Sequence, residues 1–419
     1  MKQKQTLIII GTFLIQFIVF NIANNLIPLL LPTIMQYRGI MVGSSEAALY
    51  NLVFTVGIFV SAVVSPIVPQ LFSKIGLKIT FLAGMLIASL SFVGLGLIPN
   101  TIALHPQIYL SWVCGAGIYI GSVIISSIGI PFILTKWFNE AKKGSVMGFV
   151  FMGGGIGNLL CNMLLQIPGF VPSMNNFKFI FMIFGIISVV GSFIIASLFI
   201  KQPTTEESNI ITQENEAYAK QTGSTGGKLL KEVIKTPKFM FFVLGLFFVG
   251  LFISGISLQY NVFYNQLAHN SKNPNIYLQF AFLFALFSIF GNFIGGKLFD
   301  KIGPLKTTIY ASILMIIASI CLITQNLNLG YVFGVCFGLG VFSYLLLPGY
   351  LVGNLFGSKD YGNILGIANM LFAIGFGVGG FIFSKVNQFQ GWQVSWIMVL
   401  FEVIIGFTCL AISIRQKLQ

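Results

Sequence analysis

The 419-residue chain is 56% hydrophobic and only 8% charged, with a mean hydropathy of +0.92, whereas a soluble domain carries about 25% Asp, Glu, Lys and Arg. This balance excludes a soluble globular domain, a disordered chain, a collagen and a secreted disulfide scaffold, and leaves an all-α polytopic membrane protein. The net charge of +13 would suggest a nucleic-acid partner in a soluble protein, but membrane proteins gather Lys and Arg in cytoplasmic loops, so no such partner is expected.

MKQKQ precedes a long apolar run without a small-residue cleavage pattern and reads as the start of a retained first helix. A transmembrane helix takes about 20 residues. Apolar runs separated by short polar breaks predict spans 1 to 6 near 7–34, 46–70, 79–99, 107–135, 145–168 and 177–200. Spans 7 to 12 follow near 238–264, 276–299, 307–325, 330–355, 362–386 and 393–414. Between the two sets, 201–237 contains TTEES, TQENE and TGSTGGK and half of the acidic residues. It reads as a solvated linker with a short amphipathic helix at GKLLKEVIK. The expected domains are therefore a six-helix bundle over 1–200, a cytoplasmic linker over 201–237 and a second bundle over 238–419. With both termini cytoplasmic, every basic residue except Arg38, Lys178, Lys272 and Lys385 falls on the cytoplasmic side, which sets the orientation.

The two sets of spans echo each other. GKLFDKIGPLK at 296–306 repeats PQLFSKIGLK at 69–78, and MIIASI at 315–320 repeats MLIASL at 85–90. Trp137-Phe138, Gly144 and Gly148 recur as Leu355-Phe356, Gly362 and Gly366 at the same spacings. Three echoes in one order imply a duplicated six-helix unit, an arrangement found in transporters whose substrate site lies near the membrane midplane.

With these motifs in hand, the chain resembles the major facilitator superfamily over essentially its whole length. The loop after span 8 carries the family signature as Gly296, Asp300, Lys301, Gly303 and Lys306. In the loop after span 2, Pro69 and Ser73 replace its Gly and Asp, while Lys74, Gly76 and Lys78 remain. KTPKF entering span 7 also fits. Within the superfamily, KWFNEAKKGSVMGFVFMGGGIGN at 136–158 is similar to the oxalate/formate antiporter and monocarboxylate-porter branch. The resemblance implies the major facilitator fold, twelve helices in two pseudo-symmetric six-helix bundles, and a polar cavity lined by spans 1, 4, 7 and 10. Spans 8 and 10 lack an interior basic residue, so oxalate itself, a dianion that would need a buried cation, is not expected.

The candidate substrate-binding residues follow in chain order. Asn21, Asn24 and Asn25 share one face of span 1, and their amides donate and accept; interhelical hydrogen bonding is the plainer reading. Span 4 aligns Ser111, Gly115, Tyr119, Ser122 and Ser126, where packing accounts for the small residues and Tyr119 and Ser122 remain lining candidates. Asn158, Asn162 and Gln166 form a stripe on span 5 behind a glycine cluster that reads as close helix packing. Span 7 offers Ser254, Ser257, Tyr260 and Asn261, with Tyr264 as an interfacial anchor. In span 10, Tyr344 occupies the repeat position of Ser126.

Glu402 lies mid-span in span 12 and is the proton-coupling candidate; a structural carboxyl is the alternative. Arg38 and Glu46 read as a solvated pair at the outer mouth, and His105 and His269 as outer-loop residues. The gating candidates are Lys74, Gly76, Gly296, Asp300, Lys301 and Gly303, with Gly303 permitting a tight turn and Asp300 accepting charge-assisted bonds from a Lys or a helix N-terminus. Cys114, Cys161, Cys321, Cys336 and Cys409 lie in apolar runs without metal-ligand spacing, so no cofactor or metal is expected.

Function follows as an expectation: a monomeric secondary transporter in a bacterial plasma membrane, moving a small organic solute by alternating access. The resemblance favours a monocarboxylate or amphipathic organic anion, with a coupling proton. The uncharged lining candidates favour a neutral polar metabolite or drug. A non-transporting sensor ranks lower. So does a membrane enzyme, because no HExxH and no Ser or Cys with a His at membrane depth is present. The absence of GxxxxGK[ST] argues against an ATP-driven pump.

Overall fold

The computed structural model describes all residues except 42–43, 166, 168, 171, 223–226, 269–275 and 417–419, and no side chain at 32, 48 and 218–222. Gln166, His269 and Lys272 therefore lie outside the described residues. The described chain is helical and contains no strand. Among the described residues, nine helices are long and apolar enough to cross a membrane. Two of them, Ile276–Ile323 and Tyr361–Arg415, are each broken by one glycine, Gly303 at φ 80° and Gly391 at φ 78°. A further span is a pair bent by 43°, Leu329–Leu345 with Leu347–Phe356. Counting each broken helix as two and the bent pair as one accounts for all twelve spans.

Each break has a local cause. A positive φ is open to glycine without the Cβ clash other residues suffer, so Gly303 and Gly391 turn the chain within a single residue between consecutive spans. The bend in span 10 falls at Pro348, which enters the following helix near its first turn and has no N–H to continue the ladder.

The chain forms two compact units, one of Met1–Ile133 with Gly153–Gln202 and one of Leu134–Met152 with Pro203–Gln419. The connection between spans 4 and 5, and the first turns of span 5, thus belong to the second unit.

In the first unit, small residues let helices approach closely. A Cβ on Gly121 of span 4 would meet the Gly84 carbonyl of span 3 at 2.5 Å, and one on Gly115 would meet the Val53 carbonyl of span 2 at 2.5 Å. Ser89 and Ser188 share a hydrogen bond of 2.6 Å between spans 3 and 6. Spans 1 and 4 each contain a π-helical segment, Ile15–Phe20 and Val123–Ser127. In the second unit, span 7 meets span 11 through Gly250, Gly375 and Gly379, and span 8 meets span 10 through Gly291, Gly334 and Gly338. Without a hydrophobic difference between lipid and side chain, such close packing is what holds a membrane bundle together.

The linker differs from its sequence reading. Thr205–Thr222 is an 18-residue helix. A capping box starts it: the Glu207 N–H donates to Thr204 Oγ1 at 3.4 Å, and the Thr204 N–H donates to Glu207 Oε2 at 3.0 Å. The segment GKLLKEVIK contributes only one turn, Leu230–Val233.

Candidate functional site

In the first unit the amides of span 1 join spans 4 and 5. Gln16 Nε2 donates to Ser126 Oγ at 2.7 Å, so the two π-helical segments meet side chain to side chain. Such segments recur at functional sites, and no sequence pattern announces them. Asn24 donates to Ser122 Oγ at 2.6 Å and to the Phe20 carbonyl at 3.0 Å. Asn25 donates to Asn21 Oδ1 at 2.6 Å, and Asn21 donates to Cys161 Sγ at 3.1 Å. Asn21 is buried, whereas Asn24, Asn25 and Tyr119 are half-buried. Asn24 and Tyr119 line a pocket with Val53, Phe54 and Gly115, with about 10 Å³ of water-accessible space, roughly the room one water needs. Tyr119 reaches this position because Gly57 leaves space for its ring. On span 5, Asn162 bonds back to Asn158 at 2.8 and 3.1 Å.

Arg38 departs from the solvated pairing with Glu46. It is 9% exposed, donates to Ser111 Oγ at 2.9 Å and to the Leu95 carbonyl at 3.2 Å, and lies 5.1 Å from the Tyr50 ring centre. A buried guanidinium needs its donors satisfied, and spans 3 and 4 supply carbonyls and a hydroxyl that Glu46 does not.

In the second unit the candidates stand among aromatic rings. Tyr260 is 6% exposed and lies 5.3 Å from Phe333, 6.0 Å from Phe284 and 6.3 Å from Phe337. Tyr344 lies 6.5 Å from Phe337, so Tyr260 and Tyr344 border one aromatic cluster. Ser257 and Tyr344 are half-buried and Asn261 is exposed. Tyr264 is fully buried against Phe280 and Phe333, at 4.9 and 5.6 Å. It is a core residue and not an interfacial anchor, because the neighbouring spans cover both its faces. Gln259 donates to Ser384 of span 11 at 3.4 Å.

Glu402 is 8% exposed, and its carboxyl takes no hydrogen bond from a described residue. Val399 of the same helix packs on Gly255, and Gly406 on Phe248. Glu402 lies between these contacts on the stripe that span 12 turns toward span 7.

The signature loop after span 8 forms a connected polar site within the second unit. Asp300 accepts the N–H of Gly144 at 2.9 Å through Oδ1 and that of Ser145 at 2.7 Å through Oδ2. These are donors of the first turn of Lys143–Leu164, free of intrahelical partners and at the positive end of the helix dipole. Gly296 lies one turn away, where a Cβ would overlap the Gly144 carbonyl. We expect Gly296→Ala to destabilise the protein by about 1–3 kcal/mol, read as an earlier thermal unfolding in detergent. Lys301 is exposed and Gly303 makes the turn. The first copy is different: Ser73 donates to its own Gln70 carbonyl at 2.9 Å, Lys74 is exposed, and Gly76 turns the chain at φ 92°.

Sequence reasoning missed the groups around this loop. Lys143 is fully buried, 3.1 Å from Glu140 and 4.6 Å from the Tyr361 ring centre. The linker helix joins them, with Asn139 donating to Glu214 at 2.8 Å and the Glu140 N–H donating to Asn215 at 2.9 Å. Asp360 accepts the Leu230 N–H at 2.8 Å and the Asn363 amide at 2.6 Å. The capping pattern Thr204-x-x-Glu207 was the available sign that the linker is ordered.

A comparison with curated proteins finds no match. Among solved structures, a variant of the E. coli fucose:proton symporter FucP matches at TM-score 0.68 and 15% identity, covering 98% of each chain. The proton:xylose symporter XylE bound to 6-bromo-6-deoxy-D-glucose matches at TM-score 0.71 and 12% identity, covering 97% of this chain and 94% of that one. At these identities the likeness concerns the fold. The sequence model of the Major Facilitator Superfamily matches residues 12–380 and, in a second segment, 280–417. With the twelve spans and the signature loop, this match makes the chain a member of the major facilitator superfamily.

Proposed function

We propose that the chain is a secondary transporter that moves a small, neutral, polar solute by alternating access, with a proton as coupling ion. One observation carries this reading: the mid-span groups open to a ligand are uncharged. They are Asn24, Asn25 and Tyr119 in the first unit, and Ser257 and Tyr344 in the second. Amides and phenols donate and accept, as hydroxyl-rich solutes require. Within the second unit, the rings beside Tyr344 and Tyr260 supply an apolar face for such a solute. The two structural matches are a fucose:proton and a proton:xylose symporter, which supports the same class. In this reading the protein is a monomer in a bacterial plasma membrane, with both termini and the 201–237 linker cytoplasmic. The bundles 1–200 and 238–419 are the moving parts.

The segment 136–158, similar to the oxalate/formate and monocarboxylate branch, favours a second reading in which the solute is an organic monoanion. Counterflow in proteoliposomes separates the two. Labelled pentose or hexose should accumulate against the unlabelled sugar, and labelled monocarboxylate should not; accumulation of the carboxylate alone overturns the neutral-solute reading. Asn24→Ala should raise KM about fivefold, the equivalent of one lost hydrogen bond of about 1 kcal/mol.

A further inference from the structure

Spans 9 and 12 leave an open groove of about 310 Å³ within the second unit. Span 9 supplies Thr308, Ser312 and Ile316, one per turn, and span 12 supplies Ile404, Thr408 and Arg415. Span 9 begins beside the basic signature loop at Gly303, and span 12 ends at Arg415. The two helices therefore run in opposite directions and the groove is graded. Its mouth holds Arg415 and Thr308, its middle Ser312 and Thr408. Its inner end holds Ile316 and Ile404, about 12 Å along the helix from Thr308. Ile404 is 43% exposed, so the apolar end opens outward, toward the bilayer.

Two observations point to a ligand. Thr308 is 1% exposed, and its hydroxyl has no partner among the described residues, although buried hydroxyls are ordinarily bonded. Among the described residues Arg415 is the single charged group lining the groove and no carboxylate lines it, and the chain otherwise uses arginine only at Arg38. A guanidinium fork matches phosphate oxygens where a lysine offers a point charge.

We propose that this groove binds an anionic phospholipid from the leaflet next to the basic loops. The phosphate meets the Arg415 guanidinium, the hydroxyls of Thr308 and Ser312 bond the headgroup and glycerol region, and an acyl chain runs along Ile316 and Ile404. A basic residue at the membrane surface attracts anionic lipid, and a zwitterionic lipid brings an ammonium toward Arg415 and loses that preference.

Native mass spectrometry of the full chain in mild detergent, with added phosphatidylglycerol or phosphatidylcholine, tests the proposal. The wild type should retain one phosphatidylglycerol at least fivefold over phosphatidylcholine, and Arg415→Gln and Thr308→Val should each lose the preference. Arg415 is exposed and its replacement leaves the helix intact, which equal melting of Arg415→Gln and wild type without added lipid would verify. Equal retention of the two lipids by the wild type, or an undiminished preference in Arg415→Gln, overturns the site.

Discussion

Replacing Asp300 with Asn should slow solute uptake about tenfold while leaving expression unchanged. The two carboxylate oxygens take one N–H each, from Gly144 at 2.9 Å and Ser145 at 2.7 Å. Asparagine keeps one acceptor and turns an amide NH₂ toward the other donor. Hydrogen bonds to a charged group contribute about 1.5–3 kcal/mol, and a carboxylate at a helix N-terminus gains a further 0.3–1 kcal/mol or so. Losing about 1.4 kcal/mol of this shifts the latched and released forms tenfold relative to one another. If this contact is the latch of the gate, the transport cycle passes through both forms, and a displaced balance slows turnover. Initial uptake rates in proteoliposomes, normalised to incorporated protein, provide the measurement. Unchanged rates would show that the contact is scaffolding.

Glu402→Gln should abolish the stimulation of uptake by an inward proton gradient, by tenfold or more, and leave counterflow intact. An ionised carboxylate at this depth, without a hydrogen bond from a described residue, costs several kcal/mol. A carboxyl that carries the coupling proton would hold it here at rest and release it only where the site becomes wet. Glutamine has nearly the same shape and copies the protonated form permanently. It removes the titration and spares the packing of Val399 on Gly255 and of Gly406 on Phe248. If gradient-driven uptake survives the substitution, Glu402 is a structural carboxyl and another group carries the proton.

The spans were legible because membrane depth is written along the chain as runs of apolar residues. The sites were less so, because side-chain partners are not. The breaks at Gly303 and Gly391 show the resolution of hydropathy: the polar gaps suggested loops of several residues, where one glycine with positive φ suffices. Thr205–Thr222 carries no strong apolar face, and composition alone made it solvated coil. Its cap and its bonds to Asn139 and Glu140 make it a helix. Lys142 and Lys143 are indistinguishable in sequence, yet Lys143 is fully buried beside Glu140. Arg38 is similar, since its placement depends on Ser111 and the Leu95 carbonyl, more than fifty residues away.

The contact between Lys143 and Tyr361 sets a limit on the symmetry of the repeat. The repeat register that aligns Gly144 with Gly362 also aligns Lys143 with Tyr361, so two positions that correspond across the repeat touch each other, 4.6 Å from cation to ring centre. Lysine at both positions would set two ammonium groups against each other across that gap, and tyrosine at both would leave the half-buried Glu140 without a counter-charge. A strictly symmetric pair could therefore satisfy this contact only poorly, and the difference between the two copies at this one position is what lets a single ammonium serve both the carboxylate and the ring.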